Sequence, residues 1–449
     1  MNAPLNISRR TFIKATALVA GGLVIAFAIP QAKRFLLPGE TKAPADASGS
    51  KLPAPNAFLR IGTDNTITVL LAHSEMGQSI WTTLPMLIAE ELDADWSKIQ
   101  VEHAGAAPQY VHTAYGIQIT GGSSTTWSEF DRYRQAGALT RALLINAAAQ
   151  ELGVAKETLR TENGFVVSAD KKISYGELAE AAAKLETPTT VVLKDPKDWK
   201  IIGKATKRLD STAKINGTAK FGQDVQFEGL KTAMVARAPV FGGKVKSFDA
   251  SASKQIKGVQ NVVQVPTGVA VIADNYWSAK QGRDALKIDW DLGPNAGLDS
   301  KKMVEDYRVL AATTGTVAAK AGDSQAALKQ AKTVVKAEYI APYLAHSPME
   351  PLNCTVKIDK DACEIWTGTQ MQTTDQAAAA KILGLKPEQV TIHTLFLGGG
   401  FGRRANPAAD FVSEAVQVAK AAGVPVKTVW SREDDVKGGY YRPMFLHQA

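Results

Sequence analysis

Cysteine is almost missing from this chain. Cys354 and Cys363 are the only two in 449 residues, and neither belongs to a C-x-x-C pair or to another spacing that holds zinc or an iron–sulfur cluster. Any such cluster has to sit on another chain. Both thiols fall in a stretch that reads as a hairpin and are expected to be small buried residues; a single disulfide is the alternative if the compartment is oxidising. Long apolar runs are missing too. The run from Ala15 to Ile29 covers fifteen residues, short of the roughly 20 that a membrane-crossing helix needs. There is no array of basic and aromatic residues either. The net charge of +8 comes from 52 Lys and Arg against 44 Asp and Glu, scattered along the chain, which argues against a nucleic-acid partner. No short-period repeat occurs. What is present is ordinary globular material, 45% hydrophobic and 21% charged, long enough for two or three domains.

The amino terminus reads as an address. "SRRTFIK" (8–14) precedes the apolar run, and twin arginines in that setting resemble a Tat signal, the route for folded and often cofactor-loaded proteins. The alternative is a short buried helix with two arginines at its start. "AFA" (26–28) has the A-x-A form but lies inside the apolar run, which argues against cleavage and leaves membrane attachment through residues 15–29 open. Residues 1–30 are thus expected as a Tat-type signal or anchor, giving a periplasmic protein or one on the periplasmic face of the inner membrane. Residues 31–56, rich in Pro, Ala, Gly and Ser, form a linker.

The folded part starts near residue 57. Two strand-like runs flank the turn "GTDN" (62–65). "EMGQ" (75–78) then leads into a helix with Leu84, Leu87, Ile88 and Leu92 at helical spacing. "WSKIQVEHAG" (96–105) reads as a strand. "TGGSSTTWSEF" opens a long Ala/Leu-rich helix that ends near 153, and a second helix follows over 173–185. At Lys207 the character changes to short β-rich runs with Gly breaks, which predicts a small α+β domain at 207–295. The segments 57–206 and 296–449 lie on either side of it.

Three places carry chemistry. "LGGGFGRRANPAADF" (397–411) follows the strand-like run "VTIHTLFL" and precedes a helix expected to start with Asn406 as N-cap and Pro407 at its first position. Gly399, Gly400 and Gly402 permit positive φ and close approach of a ligand to backbone amides. Phe401 stands among them, and Arg403 adds charge that suits an anion. "GFGRRA" also fits the dinucleotide G-x-G-x-x-A pattern, but its capping signals come after the motif rather than inside it. Gln370 in "GTQ" (368–370) sits between a strand and a helix, where an amide can both donate and accept. Gly77 and Gln78 in "EMGQ", and Ser123, Ser124 and Thr125 in "GGSSTT" (121–126), lie in small-residue loops that open helices. That geometry cradles phosphate, though Ser and Thr are also simply good N-caps. His346 and Glu350 are weak metal-ligand candidates with no third partner.

Together these landmarks resemble the molybdopterin-binding large subunits of the xanthine dehydrogenase / aldehyde oxidase family. The resemblance is greatest to the branch that holds isoquinoline 1-oxidoreductase beta subunits and related exported aldehyde dehydrogenases, and covers about residues 57–449. It implies an α+β architecture with an a/b hammerhead domain, opening at "RLDSTAKINGTAKFGQDV" (208–225), between portions of a molybdopterin-binding domain. It implies a molybdenum–molybdopterin cofactor, with the cytosine dinucleotide form open, whose dithiolene rather than any side chain holds the metal. Gln370 would orient the metal's oxo group, with the loop from Gly399 to Gly402 beside it. Gln78, Ser123, Ser124 and Thr125 would hold the pterin phosphate or nucleotide.

The implied partners are a small [2Fe-2S] subunit, a c-type cytochrome beyond it, and a small-molecule substrate, an aldehyde or N-heteroaromatic. Ala405 replaces the glutamate of xanthine-type members, which speaks against purine binding, and Ser79 stands where glycine is common. The catalytic general base of the family, a glutamate, has no counterpart before Ala449. The expectation is therefore a molybdopterin-binding domain incomplete at its carboxyl end and inactive alone. A non-catalytic exported binding or assembly fragment and a nucleotide-dependent dehydrogenase are the other readings.

Overall fold

A computed structural model describes residues 22–27 and 56–449, with side chains from residue 58. The twin-arginine stretch, most of the apolar run after it and nearly all of the linker lie outside the described residues. The part of the run that is described, Gly22–Phe27 (β1), is a strand antiparallel to Asn56–Gly62 (β2), which departs from the short buried helix given as the alternative reading. The turn "GTDN" closes a hairpin between β2 and Ile67–Leu71 (β3). Asp64 holds it by accepting from the amide and hydroxyl of Thr66 at 3.1 and 2.7 Å. Ile67, Val69 and Leu71 alternate inward, as a strand half-buried on one face requires.

Helix α1 (Ile80–Leu92) follows with Leu84, Leu87, Ile88 and Leu92 buried. It crosses over to Ile99–His103 (β4), which lies parallel to β3. Helix α2 (Thr125–Leu152) packs along α1. Gly137 permits the approach, since a Cβ there would come within 2.6 Å of the Ile88 carbonyl oxygen. Three short strands (160–162, 165–167 and 172–174) lead to α3 (Tyr175–Ala183), whose start is a capping box between Ser174 and Glu177.

The chain forms two compact units, residues 1–226 with 354–413, and residues 227–353 with 414–449. The change expected at Lys207 comes later, at Phe227. Residues 208–226 stay in the first unit because Arg208 and Lys214 ion-pair with Glu75 at 3.1 and 3.5 Å. The second unit contains Lys231–Arg237 (β5), Val259–Val265 (β6) and Gly268–Ala273 (β7), paired antiparallel in the order β6–β7–β5. Helix α4 (Tyr276–Asp284) covers β7, which is buried throughout. From 291 to 347 no residue of this unit is buried.

The chain then adds to the first unit a hairpin of Asn353–Ile358 (β8) and Cys363–Thr367 (β9). Both cysteines are free and buried, as the sequence favoured, and burial pushes the Cys363 thiol up to about 12. Helix α5 (Gln372–Leu383) carries β9 over to the parallel strand Val390–Thr394 (β10). Helix α6 (Asp410–Ala422) and Val426–Val429 (β11) complete the order, with β11 parallel to β5 in the second unit. Helices and mixed sheets alternate, an α+β fold.

Candidate functional site

The first unit holds two strand–helix–strand crossovers, β3–α1–β4 and β9–α5–β10, and in such units ligands gather at the carboxyl ends of the strands. Four loops leave those ends: 72–79 after β3, 104–124 after β4, 368–371 after β9 and 395–409 after β10. They are bonded into one cluster. The Ser74 hydroxyl donates to the Thr369 carbonyl at 2.6 Å, and the Ser74 amide to Thr120 Oγ1 at 2.8 Å. The Leu397 amide donates to the Glu75 carbonyl at 3.1 Å. His103, at the end of β4, faces the Thr394 carbonyl through Nδ1 at 3.1 Å and accepts from the Glu75 amide at Nε2 at 3.0 Å. Only a neutral ring with its proton on Nδ1 makes both bonds. Burial among Trp81 and Phe396 agrees, pushing its pKa down to about 4.

Gln370 lies at the centre and is 1% exposed. Its Nε2 donates to the Thr120 carbonyl at 2.8 Å and its Oε1 accepts from the Arg404 amide at 3.2 Å. Backbone bonds from Thr120 to Gln370 (2.8 Å) and from Gln370 to Arg404 (3.1 Å) run beside them. The amide read as a ligand contact therefore fastens three loops together. Gly400 sits over it, where a Cβ would come 2.7 Å from Gln370 Oε1.

The two helix-opening loops differ. At α1 the buried Glu75 carboxylate accepts from the amides of Gly77 (2.8 Å), Ser79 (3.3 Å) and Trp81 (2.9 Å). A side chain already occupies the place that the sequence assigned to a phosphate. Gln78 is turned onto its own loop, bonded to the Ser74 carbonyl and the Met76 amide, and Gly77 takes the positive φ that the bend requires. The end of α2 is open. Ser124 precedes the helix without capping it; its hydroxyl donates to the Gly121 carbonyl at 2.7 Å and faces His112 at 2.9 Å. Gly122 and Ser123 both have positive φ and are exposed, with the Tyr115 hydroxyl beside Gly122.

The arginines of the glycine-rich loop face inward. Arg403, 1% exposed, makes a two-point bond to Asp410 at 3.1 and 2.9 Å. Arg404 donates to the carbonyls of Gly399 and Gly368. Arg403 thus spends its charge on a carboxylate of the chain itself, where the sequence suggested an anionic ligand. The helix also starts later than expected. Asn406 Oδ1 accepts from the Ala408 amide within a turn, Ala409 takes a φ of 49°, and α6 begins at Asp410. That start lies eight residues beyond Gly402, too far for a dinucleotide fingerprint, whose helix begins inside the motif. Phe401 is the exception to this inward packing: it is 74% exposed at the loop tip, with φ of 54°.

Several residues of the cluster carry no sequence signal strong enough to find them. His73 lies between Thr125 Oγ1 (3.1 Å) and the buried Glu129 (3.2 Å), which also pairs with Arg132 at 2.9 Å. Burial alone would raise the Glu129 carboxyl, but the hydrogen bond from His73 and the Arg132 charge outweigh it and hold it low. Gln118 and Gln372 donate to the Ala72 carbonyl and the Ser74 hydroxyl, leaving their buried Oε1 atoms without a partner. His346 and Glu350 do not converge on a metal. His346 stacks on Tyr440, Glu350 accepts from Asn353, and no group of three or more His, Cys, Asp or Glu suited to a metal occurs among the described residues.

Comparison with known proteins decides the family. Residues 38–223 and 309–449 each match a molybdopterin cofactor-binding domain. The chain belongs to the xanthine dehydrogenase / aldehyde oxidase family. It is 32% identical over 436 residues to isoquinoline 1-oxidoreductase subunit beta of Brevundimonas diminuta, which covers 87% of this chain and 56% of that protein. It is 32% identical over 455 residues to a membrane-bound aldehyde dehydrogenase (pyrroloquinoline-quinone) of Gluconacetobacter polyoxogenes, covering 97% and 57%. The aldehyde oxidoreductase of Desulfovibrio gigas aligns with a TM-score of 0.45 at 17% identity, over 61% of this chain and 35% of that one. The chain spans about half the length of the curated relatives it matches.

Proposed function

We propose that the four-loop cluster is one wall of a molybdopterin site, and that the protein serves as the large subunit, or part of it, of a molybdenum hydroxylase. The observation that carries this reading is the pairing of two helix starts within one cluster, α1 closed by Glu75 and α2 open. An uncapped helix start with left-handed residues in front of it presents amides to an anion, which fits the cofactor's phosphate. Ser123, Thr125 and the glycines of 121–122 would hold that phosphate. The partnerless oxygens of Gln118 and Gln372 suit the N–H groups of a pterin. When bound, the cofactor supplies a two-electron redox centre able to hydroxylate an electron-poor carbon. Gln370 holds the loops of Thr120 and Arg404 in register, and Phe401 at its exposed loop tip would be free to pack against a bound ligand.

An aldehyde or N-heteroaromatic substrate follows from what the two relatives are named for. With only two buried cysteines, electrons would leave to a separate [2Fe-2S] subunit, and a c-type cytochrome is the natural acceptor beyond it. The twin-arginine stretch supports export to the periplasm. The test is to purify the protein from hosts with and without molybdopterin synthesis and to measure bound molybdenum and released pterin. Ser123→Asp places a competing carboxylate at the α2 start and should lower pterin content at least about tenfold, equivalent to about 1.4 kcal/mol, with unchanged circular dichroism. No pterin from the competent host, or full retention by Ser123→Asp, would reject the assignment.

A further inference from the structure

Asp375, in the first turn of α5, faces back onto the turn that carries Gln370. Its carboxyl is 2% exposed. The Thr369 hydroxyl donates to its Oδ2, and that same hydroxyl accepts from the Met371 amide at 2.9 Å. Among the described residues, no lysine, arginine or histidine is paired with it. The titratable groups around it come from three elements. Asp410 opens α6, with its charge already matched by Arg403; Cys354 lies on β8; Cys363 lies beyond it on β9. None of these offers a positive charge to an ionised Asp375. The helix start favours an anion only weakly, whereas a buried carboxylate with one hydroxyl donor and no cation of its own is strongly disfavoured.

We propose that Asp375 is a positioning residue that carries a proton at neutral pH, and that losing this proton loosens the Gly368–Met371 turn. The turn is where the chain meets residues 74, 120 and 404, so loosening it would open the four-loop cluster at its centre. Burial, assisted by Asp410, raises the Asp375 carboxyl to about 8 from 3.8. The sign follows. Between those values the native state holds a proton that the unfolded chain has released, so this group makes stability fall as pH rises through the interval. An ordinary salt-bridged carboxylate does the opposite. The consequence for cofactor retention rests on the reading of the cluster as a pterin site. The turn's own response does not, and the two can fail separately.

The experiment needs no cofactor. Hydrogen exchange of the peptide spanning 368–371 would be followed in the full chain from about pH 6 to about pH 9, corrected for the intrinsic rate, with infrared detection of a protonated buried carboxyl. Protection in this peptide should fall at least about tenfold across the upper part of the range, as the carboxyl band disappears with the same midpoint. Asp375→Asn should abolish both the band and the pH dependence while keeping the protection seen at low pH. Thr369→Val, which removes the one hydroxyl partner, should raise the midpoint further. Protection that is flat with pH, or a carboxyl ionised throughout, would overturn the proposal on the unsubstituted protein alone. A dependence that persists unchanged in Asp375→Asn would assign it to another group.

Discussion

Gln370 is the residue on which the cluster depends. Replacing it by alanine strips a partner from the Thr120 carbonyl and the Arg404 amide, both inside the protein. A lost buried bond costs about 1–3 kcal/mol for each group left unsatisfied. Gln370→Ala should therefore lower unfolding stability by about 2–4 kcal/mol in urea, more than the loss of an ordinary helix-entry residue. A loss below about 0.5 kcal/mol would show that the amide is free for a ligand after all. Phe401 is the reverse case. A non-glycine residue in the left-handed region costs about 1–2 kcal/mol, partly offset by the greater chain entropy of glycine. Phe401→Gly should leave the chain as stable or up to about 1 kcal/mol more so, while weakening whatever ligand the loop covers. A strained, exposed aromatic kept at a loop tip points to function rather than folding. The sequence showed that the loop mattered but not how its charges were used. Arg403 reads as a cation for a ligand until Asp410, seven residues on, is seen to take both of its terminal nitrogens. Asn406 reads as an N-cap because a turn and a cap use the same bond, a side-chain oxygen accepting from an amide two residues later.

Among the elements, α1 and α2 were legible from apolar spacing and from the small residues before them. The contact between them was not. Gly137 looks like a helix defect, and alanine there should gain about 1 kcal/mol of helix propensity. The Ile88 carbonyl at 2.6 Å from the added Cβ reverses the sign, since backbone of a neighbouring helix cannot yield as a flexible side chain can. Gly137→Ala should destabilise by about 1–3 kcal/mol, read from the thermal midpoint, and a stabilised variant would mean that the helices separate easily. The two crossovers could be read as separate strands and helices. Their meeting at one end could not, because it depends on bonds between residues nearly 300 positions apart, such as Ser74 to Thr369. The same long reach explains Lys207. The change of composition there is real, but Arg208 and Lys214 are drawn to Glu75, and no local pattern reports a partner more than 130 residues away.

For the whole molecule, the expected address and the proposed site make a joint prediction. Tat export suits a protein that must fold around its cofactor before crossing a membrane. Replacing Arg9 and Arg10 with lysine should leave the cytoplasmic protein folded and pterin-loaded but absent from the periplasm, as fractionation and blotting would show. Normal periplasmic amounts of the double variant would mean that "SRRTFIK" is not the export signal. The strand at Gly22–Phe27 bears on the same question, because residues paired with β2 are not simultaneously available to lie in a bilayer.

Glu75 also bears on the direction in which a ligand can lie. Helices α1 and α2 both start beside the same cluster, and two open starts would offer an elongated anionic molecule two ends and so two opposite orientations. Glu75 removes that ambiguity by occupying the amides at the α1 start with the chain's own carboxylate. On the reading proposed for the cluster, an anionic tail would meet open amides at Ser123 and none at α1. On that reading, polarity of binding would be set by exclusion at α1 as much as by attraction at α2.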